Sequence, residues 1–488
     1  MLIPEINCWK VERADRFAVL MENDAYFRAL RSSLHKAQRS ILVLGWQFDP
    51  RTRLAPELKE DHERGEEIGH LLRRLVAERP ELEVRLLIWR SPLPIAWSQG
   101  FYPQRTRAWF RKKSMNFRLD RPRPPGACHH QKVIVIDDQV AYWGGGDVAT
   151  DRWDTLAHLD DEPLRAAPSG RPYAARHEVM GVASGPVAEA LGELARRRWL
   201  DATGEVIPPL GEAAVDPWPD GVEPDLVHPP VGIARTEPRW RGREGARECE
   251  RLHLDAIAAA RRLIYLENQY VTAPVIAAAL AERLAEPEGP EVVIVSTAKS
   301  PSWFDQAAMD RAREVLLHRL RRADRYGRFS AWAPLTEGGR GVIVHSKVSL
   351  IDDRLLRIGS ANLNNRSSGF DTECDLAVES ERPGDPASDL IRRLRAHLLG
   401  HFLGVGADDF ERAYGQFGSV SAALETLQRG RRLKPLGVEP PTAVSRLIAR
   451  WQLGDPYSTK DAWRPWRREA LRRRLQALAA PSDAAGAS

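Results

Sequence analysis

Two short motifs in the sequence combine residue types that could bind and cleave a phosphate ester. Each has a histidine, a lysine two residues later, an aspartate five residues after the lysine, and a glycine-rich turn that begins seven residues after the aspartate. The motifs are His130-x-Lys132-x4-Asp137 with Gly144-Gly145-Gly146-Asp147, and His345-x-Lys347-x4-Asp352 with Gly359-Ser360-Ala361-Asn362. A single copy beside an apolar strand would be typical of residues with a structural role. Two copies with equal spacing indicate instead that both motifs serve the same chemical reaction.

The direction of side chains along a strand separates the residues of each motif. Alternate residues point to opposite faces, so His130 and Lys132 share a face and Asp137, at the far end, has the other parity. The histidine and lysine can therefore bind one ligand. Asp137 and, by the same argument, Asp352 are better suited to hold structure. The register also selects His130 rather than its neighbour His129.

One motif alone offers no complete pair of acid and base. If two halves pack about a pseudo-twofold axis, both histidines reach one phosphorus, where one can attack and the other can protonate the leaving oxygen. An unperturbed pKa of about 6.5 suits histidine to both tasks. Lys132, Lys347, the Asn362 side chain and the amides of the glycine turns would neutralise the phosphate oxygens. We expect no cofactor and no metal, since no carboxylate cluster suited to magnesium or calcium stands out.

Apolar strands alternate with helical periodicity in both halves of the chain, which predicts an α/β fold. Around the first motif we predict strands at 40–46, 84–89 and 178–182 and helices at 25–38, 66–78 and 186–200. The second half repeats this order between 253 and 403. We infer two duplicated α/β/α units with largely parallel sheets and an active site at their interface.

Composition and loops suggest four parts. They are an N-terminal half at 1–207, a linker rich in proline and acid at 208–230, a C-terminal half at 231–405 and a basic helical extension at 406–488. Residues 1–24 resemble a polar lead-in, and 91–126 predict a loop region over the site. Arginines of the extension, interleaved with tryptophans, fit either a solvated helix face or a lipid interface.

The whole composition is that of a soluble globular protein of two or three domains. The 488 residues are 43% hydrophobic and 28% charged, with a net charge of +5 that favours polyanionic surfaces such as lipid or nucleic acid. No apolar run approaches the ~20 residues of a membrane span, and the start lacks a signal peptide. We expect a cytoplasmic protein that binds peripherally to membranes. The sequence is also compatible with export by a route that needs no signal peptide. The four scattered cysteines predict reduced thiols.

The doubled motif with its glycine turns resembles the phospholipase D superfamily, over roughly residues 35–405. More narrowly, Arg152-Trp153-Asp154 and the strand at 264–270 are similar to eukaryotic-type phospholipase D proteins, which also occur in bacteria. The resemblance implies two α/β/α halves around one site and a covalent phosphohistidine intermediate. It further implies hydrolysis or alcohol exchange at the head-group phosphodiester of a phospholipid.

The resemblance also implies roles for individual residues. His130 would be the nucleophile and His345 the general acid, oriented by Glu178 and Glu373 respectively. The sequence departs from the wider family at Gly145, where serine is frequent, and at Asp147, where asparagine is frequent. A carboxylate at the latter position would repel a phosphate unless it faces away.

We therefore expect a phospholipase D that acts on phospholipid at a membrane surface, with water or an alcohol as acceptor. The alternatives are a cardiolipin-synthase-like phosphatidyltransferase with a second lipid as acceptor, an HKD-type nuclease, and a lipid-binding module without activity. Simple nucleases of this superfamily carry one motif per chain and dimerise, so two motifs disfavour a nucleic-acid partner. Head group, preferred acceptor and oligomeric state stay open, and a monomer is compatible with the sequence.

Overall fold

The structure is a computed structural model that describes residues 1–58, 67–92, 106–107, 109–110, 115–121, 124–211, 214–428 and 432–479. The described chain forms two large sheets and one two-stranded sheet, with helices packed on the sheets. Each large sheet contains the strand of one motif. The predicted α/β fold class is confirmed.

The first sheet has eight strands and contains the first motif. In spatial order they are β10 (Leu226–Val227), β2 (Arg16–Met21), β9 (Val179–Ser184), β7 (Val140–Gly144), β6 (Val133–Ile136), β3 (Ser40–Gly45), β4 (Glu83–Trp89) and β5 (Met115–Asp120). Neighbours are antiparallel from β10 to β3 and parallel from β3 to β5.

The second sheet has ten strands. In spatial order they are β1 (Lys10–Arg13), β11 (Pro230–Glu237), β19 (Glu373–Glu379), β18 (Leu355–Gly359), β17 (Val348–Ile351), β13 (Leu263–Glu267), β14 (Glu291–Val295), β15 (Phe329–Pro334) and β20 (Leu433–Pro435), with β12 (Ala246–Arg247) beside β11. From β11 to β15 this sheet has the same order and directions as the first sheet from β2 to β5. A duplication would produce such a repeat; the duplication and its pseudo-twofold axis stay predictions.

The expectation of largely parallel sheets is wrong, because each motif strand turns back in a tight hairpin. β6 joins β7 through residues 137–139, where Asp137 and Asp138 have φ angles of 53° and 56°, and β17 joins β18 through residues 352–354, where Asp352 has a φ of 54°. Such short loops connect antiparallel strands, and positive φ at the turn suits the twist of a hairpin, whereas a parallel pair needs a long crossover. Parallel pairing is found around β4 and β14, and the helices Ile68–Glu78 and Pro274–Ala285 connect β3 to β4 and β13 to β14.

The motif aspartates fix the start of the neighbouring strand. The Asp137 carboxylate accepts backbone N–H groups at 38, 39 and 40, at 2.7, 2.8 and 2.7 Å. The Asp352 carboxylate accepts those at 261, 262 and 263, at 2.9, 2.7 and 2.9 Å. Both aspartates therefore lie at the end of the motif strand remote from the histidine and lysine.

The described residues form fourteen α-helices, which cover the sheets or extend from them. They are α1 (Asn23–Lys36), α2 (Ile68–Glu78), α3 (Pro186–Thr203), α4 (Glu248–Ala259), α5 (Pro274–Ala285), α6 (Trp303–Asp305), α7 (Arg311–Ala323), α8 (Asn365–Gly369), α9 (Pro386–Leu403), α10 (Ala407–Phe417), α11 (Val420–Leu427), α12 (Ala443–Trp451), α13 (Thr459–Trp463) and α14 (Glu469–Ala479). A π-helical turn at Gln306–Asp310 joins α6 to α7.

Helix α9 illustrates how local sequence sets the ends of an element. Asp385 caps its start by accepting the N–H of Ser388 at 2.8 Å, and Pro386 occupies the first turn. Gly404 ends the helix with a φ of 67°, a conformation that glycine adopts without strain.

Three apolar cores hold the layers together. The central core contains the facing sides of both large sheets together with α3 and α9. In it, the buried indole of Trp143 donates from Nε1 to the carbonyl oxygen of Ile358, 3.1 Å away, and so joins the two sheets directly. The outer cores place α1 and α2 on the first sheet, and α4 and α5 on the second.

The boundaries of the predicted parts stay a proposal, but strands connect those parts more closely than expected. The supposed lead-in supplies β1 and β2, and β1 pairs within the second sheet. The supposed linker supplies β10, and the extension supplies β20. In the predicted loop region, β5 is a strand, and most of the remainder lies outside the described residues.

Two further expectations concern cysteines and membrane spans. All four cysteines, Cys8, Cys128, Cys249 and Cys374, are buried and free. None of the described helices has the length and apolar character needed to cross a lipid bilayer.

Candidate active site

The fold brings the two motifs to the same kind of place in each sheet. Val133 at the start of β6 pairs with Leu44 near the carboxyl end of β3, and Val348 at the start of β17 pairs with Glu267 at the carboxyl end of β13. The motif histidines and lysines precede these strands. They therefore lie at the carboxyl edge of the parallel strands, where ligands commonly bind in α/β sheets.

Backbone bridges connect each motif to the other half of the chain. The N–H of His130 donates to the carbonyl oxygen of Thr372 at 3.0 Å. The N–H of His345 donates to that of His177 at 2.9 Å, next to the parallel pair of β8 (Arg176–His177) and β16 (Ile343–Val344). Each motif histidine thus lies beside the residue that precedes the glutamate of the opposite half.

Because of these bridges, each motif histidine is paired with the glutamate of the opposite half. Nδ1 of His130 donates to Oε2 of Glu373 at 2.9 Å, and Nδ1 of His345 donates to Oε2 of Glu178 at 2.6 Å. The expected pairing of Glu178 with His130 and of Glu373 with His345 is wrong. It assumed that a carboxylate serves the histidine of its own half.

The two glutamates have unequal surroundings. Glu373 accepts hydrogen bonds from the hydroxyls of Ser360 and Ser367, both at 2.6 Å. Gly145 takes the place of Ser360 in the first motif, and within the described chain Oε1 of Glu178 has no partner. A Cβ at Gly145 would lie 2.5 Å from that oxygen and 2.8 Å from the backbone oxygen of His345. Glycine is therefore required at position 145, where the first motif contacts His345 of the second.

Both lysines fold back on their own motifs. Nζ of Lys132 donates to the backbone oxygen of His130 at 2.9 Å and lies 3.4 Å from Oδ2 of Asp147. Nζ of Lys347 donates to the backbone oxygen of His345. The ammonium groups are thereby held beside the imidazoles.

Asp147 stands where the wider family often has asparagine, and its negative charge has partners in the structure. Its Oδ1 accepts the backbone N–H groups of Trp46 and Gln47 at 2.9 and 3.1 Å, while Oδ2 faces Lys132. The carboxylate is therefore engaged by amides and by a lysine.

The pKa shifts indicate that the four motif side chains share one buried region. Burial first, then Lys132 and Lys347, hold the pKa of His130 well below its usual range. Burial, Lys347 and Arg176 do the same for the pKa of His345. Burial also lowers the pKa of Lys347 to about 7, although Glu178 opposes this. An anion bound here would raise these pKa values, because it favours the charged forms.

The Nε2 atoms of His130 and His345 are the ring positions left without a glutamate partner. Since Nδ1 of each imidazole is used by a glutamate, Nε2 remains for a ligand or a proton. In the part of the chain that the structure describes, neither His130 nor His345 makes a hydrogen bond through Nε2.

Two arginines near the site were not predicted as site residues. Arg176 and Arg152 both lower the pKa of His345 by their positive charge. Nη2 of Arg152 donates to Oε1 of Gln47 at 2.7 Å. For Arg152 the sequence signal was present, since it belongs to the triplet Arg152-Trp153-Asp154, which we read only as a family marker. Asn362, in contrast, has a buried Oδ1 without a partner among the described residues, and its role stays a prediction.

A cavity of about 1070 Å³ adjoins the motif region at the carboxyl ends of β14 and β15. Arg176 and Ile343, from the bridge between the halves, form part of its wall. Other lining residues include Tyr173, Lys299, Ser300 and Lys434. The cavity thus has basic groups and enough room for a large phosphorylated ligand.

The chain is similar to several known proteins. A family model described as "Cardiolipin synthase, PLD-like domain" matches residues 253–398, which include the second motif and Glu373. A cardiolipin synthase A of Pseudomonas putida is 26% identical over 457 residues, covering 92% of this chain and 77% of that protein. One of Pseudomonas entomophila is 26% identical over 383 residues, covering 77% and 67%.

The chain belongs to the phospholipase D superfamily. A solved phosphatidylserine synthase of Haemophilus influenzae shares the fold of the present chain, with a TM-score of 0.55. The two are 13% identical, and the match covers 91% of this chain and 94% of the synthase. The predicted superfamily is confirmed. The narrower resemblance to eukaryotic-type members stays a prediction.

Proposed function

We propose that this phospholipase D superfamily protein is a phosphatidyltransferase of the cardiolipin-synthase type. It would move a phosphatidyl group from one phospholipid to a hydroxyl group of another. The observation that carries the proposal is the pair of crossed histidine–glutamate contacts beside two lysines, which offers a nucleophile and a proton donor at one place. Similarity to cardiolipin synthases favours transfer, which was our alternative, over lipid degradation by hydrolysis, which was our first expectation.

In the first step, Nε2 of His130 attacks the phosphorus and the bond to the head-group oxygen breaks. Nε2–H of His345 gives its proton to that oxygen. Glu373 keeps the proton of His130 on Nδ1, so the lone pair on Nε2 is free to attack, and it stabilises the positive imidazole that forms. Lys132 and Lys347 neutralise the remaining phosphate oxygens.

In the second step, an acceptor hydroxyl loses its proton to His345 and its oxygen attacks the phosphorus. The phosphorus–nitrogen bond breaks, and His130 returns to its first state. Water as acceptor gives phosphatidic acid, whereas the glycerol head group of phosphatidylglycerol gives cardiolipin. The two activities therefore differ in the acceptor and share all bond changes at the site.

The product distribution tests this proposal. We expect the purified protein, given vesicles that contain phosphatidylglycerol, to produce cardiolipin and free glycerol, measured by mass spectrometry. Added ethanol should give phosphatidylethanol as a competing transfer product. Phosphatidic acid as the sole product, with and without ethanol, would contradict transfer. Cleavage of plasmid DNA in a parallel reaction without any lipid product would contradict a lipid substrate.

Exposed aromatic side chains beside the cavity support a lipid surface as the place of action. Trp303 is 72% exposed and Phe304 51% exposed, and Trp303 lies three residues after Ser300 of the cavity wall. Indole rings prefer the boundary between water and lipid. We propose that this pair enters the head-group region of a membrane.

Replacing both Trp303 and Phe304 by alanine is expected to weaken vesicle binding about tenfold, because the buried apolar area is lost. Activity on vesicles should fall equally, and activity on a dispersed short-chain substrate should not. Tyr326, 49% exposed near the other end of β15, is the matched control. Equal losses in Tyr326→Ala, or a loss on the dispersed substrate, would contradict a membrane role for the pair.

A further inference from the structure

A cluster of three histidines and one glutamate lies outside the motif residues. One donor atom each from Glu22, His158, His177 and His401 lies within 4.8 Å of all the others. The side chains of Glu22 and His177 are fully buried, and those of His158 and His401 are 7% and 10% exposed. The cluster therefore gathers four possible metal ligands at one place with little access to water.

The separations between donor atoms are close to those of a metal site. Oε1 of Glu22 contacts Nδ1 of His177 and lies 3.4 Å from Nε2 of His158 and 3.8 Å from Nε2 of His401. Zinc bonds of about 2.0–2.1 Å in a tetrahedron place ligand atoms roughly 3.3 Å apart. Small side-chain shifts would complete such a tetrahedron.

Two of the imidazoles point buried nitrogens into the cluster without a hydrogen bond. Nε2 of His158 and Nε2 of His401 have no partner within the described part of the chain. Buried polar atoms are normally paired, so an unpaired atom requires an explanation. A metal ion among these nitrogens would supply the missing partner.

The outward-facing nitrogen of each imidazole is held by an oxygen. Nδ1 of His158 bonds to Oδ2 of Asp154 at 3.1 Å, Nε2 of His177 to Oε2 of Glu267 at 2.9 Å, and Nδ1 of His401 to the backbone oxygen of residue 397 at 3.2 Å. Metal-binding histidines commonly donate their other N–H to a carboxylate or carbonyl in this way. With the protons on the outer nitrogens, a metal ion that displaces the proton shared by Nδ1 of His177 and Glu22 would meet the lone pairs of all three inner nitrogens.

We propose that Glu22, His158, His177 and His401 bind one divalent transition-metal ion. Three imidazoles and one carboxylate without a thiolate suit zinc in tetrahedral geometry. The sequence alone predicted no metal. It did not reveal this cluster, because the four ligands lie far apart in the sequence and show no metal-binding spacing. The further inference is independent of the proposed transfer reaction, since none of the four ligands belongs to the motifs.

The position of the ligands gives the ion a structural role. Three ligands belong to the first half of the chain, whereas His401 comes from α9 in the second half. His177 lies in β8 and directly precedes Glu178, the partner of His345. The ion would therefore connect the two halves and fix the strand that positions one active-site carboxylate.

Metal content of the untagged protein tests the proposal without any mutation. We expect about one zinc ion per chain by elemental mass spectrometry, and the visible absorption of tetrahedral cobalt after exchange. Adding zinc to chelator-treated protein should raise the melting temperature, because the ion binds the folded state. A buried network that holds protons and no metal is the competing account; no bound zinc, no cobalt absorption and an unchanged melting temperature would establish it and overturn the proposal.

A pair of histidine variants locates the ion. His401→Gln is expected to weaken zinc binding about tenfold or more. His253→Gln is the matched control, because His253 is also buried with an unpaired Nε2 and hydrogen-bonds through Nδ1 to a backbone oxygen. Unchanged zinc affinity in His401→Gln, or equal loss in both variants, would contradict the assigned ligands.

Discussion

Phosphatidyl transfer is expected to fall by about 10,000-fold or more in His130→Ala and in His345→Ala, since nucleophile and proton donor act as one unit. The initial rate of cardiolipin or phosphatidylethanol formation measures this loss. For the same reason the double variant should be little worse than either single variant.

The neighbouring histidine is a matched control for this result. His129 differs from His130 by one position, and its ring bonds to Arg198 and Asp120 rather than to a site glutamate. We expect His129→Ala to keep its rate within about tenfold of wild type, because most substitutions away from reacting groups act through modest stability changes. Loss of transfer in His129→Ala with retention in His130→Ala would show that the register of the motif is wrong.

The crossed carboxylates give the second large effect. Glu373→Gln and Glu178→Gln should each slow lipid transfer by about 100- to 10,000-fold, because the amide holds the wrong tautomer of its histidine. A p-nitrophenyl phosphodiester separates the two, since its leaving group departs without a proton. In the first turnover on this substrate, which ends at the phosphohistidine, Glu178→Gln should recover to within about tenfold of wild type, whereas Glu373→Gln should stay slow.

The comparison with the histidine variants makes this test independent of which histidine attacks. Crossed pairing predicts that Glu373→Gln follows the substrate profile of His130→Ala, and that Glu178→Gln follows that of His345→Ala. Pairing within each half predicts the opposite matches. The rates of nitrophenol release in a single turnover, measured with enzyme in excess for the four variants, decide between them.

Local features of the sequence were sufficient for the elements that position the motifs. Helix α3 begins at the predicted residue, Pro186, and ends at Thr203, three residues beyond the predicted 186–200, since proline at its start and the alanine and leucine residues after it favour the helix. The motif strands follow from their apolar runs, and the structural position of Asp137 follows from parity. Each of these depends on neighbours in sequence.

Features that depend on distant contacts were missed. Strand β1 belongs to the second sheet because it pairs with β11, some two hundred residues away in sequence. The partners of His130 and His345 are exchanged because Thr372 and His177 bridge the halves. No local pattern contains such information. Aligning one half of the sequence with the other therefore finds the position of each glutamate in the chain, but it pairs that glutamate with the wrong histidine.

Mapping the covalent intermediate tests the central claim most directly, namely that one site built from both halves transfers phosphorus through His130. His345→Ala protein is mixed with the nitrophenyl substrate, quenched at alkaline pH to preserve phosphohistidine, digested and analysed by mass spectrometry. We predict a modified peptide with the adduct on His130, and no adduct in His130→Ala protein. An adduct on His345 in the His130→Ala protein, or no adduct in either variant while nitrophenol is released, would contradict the account.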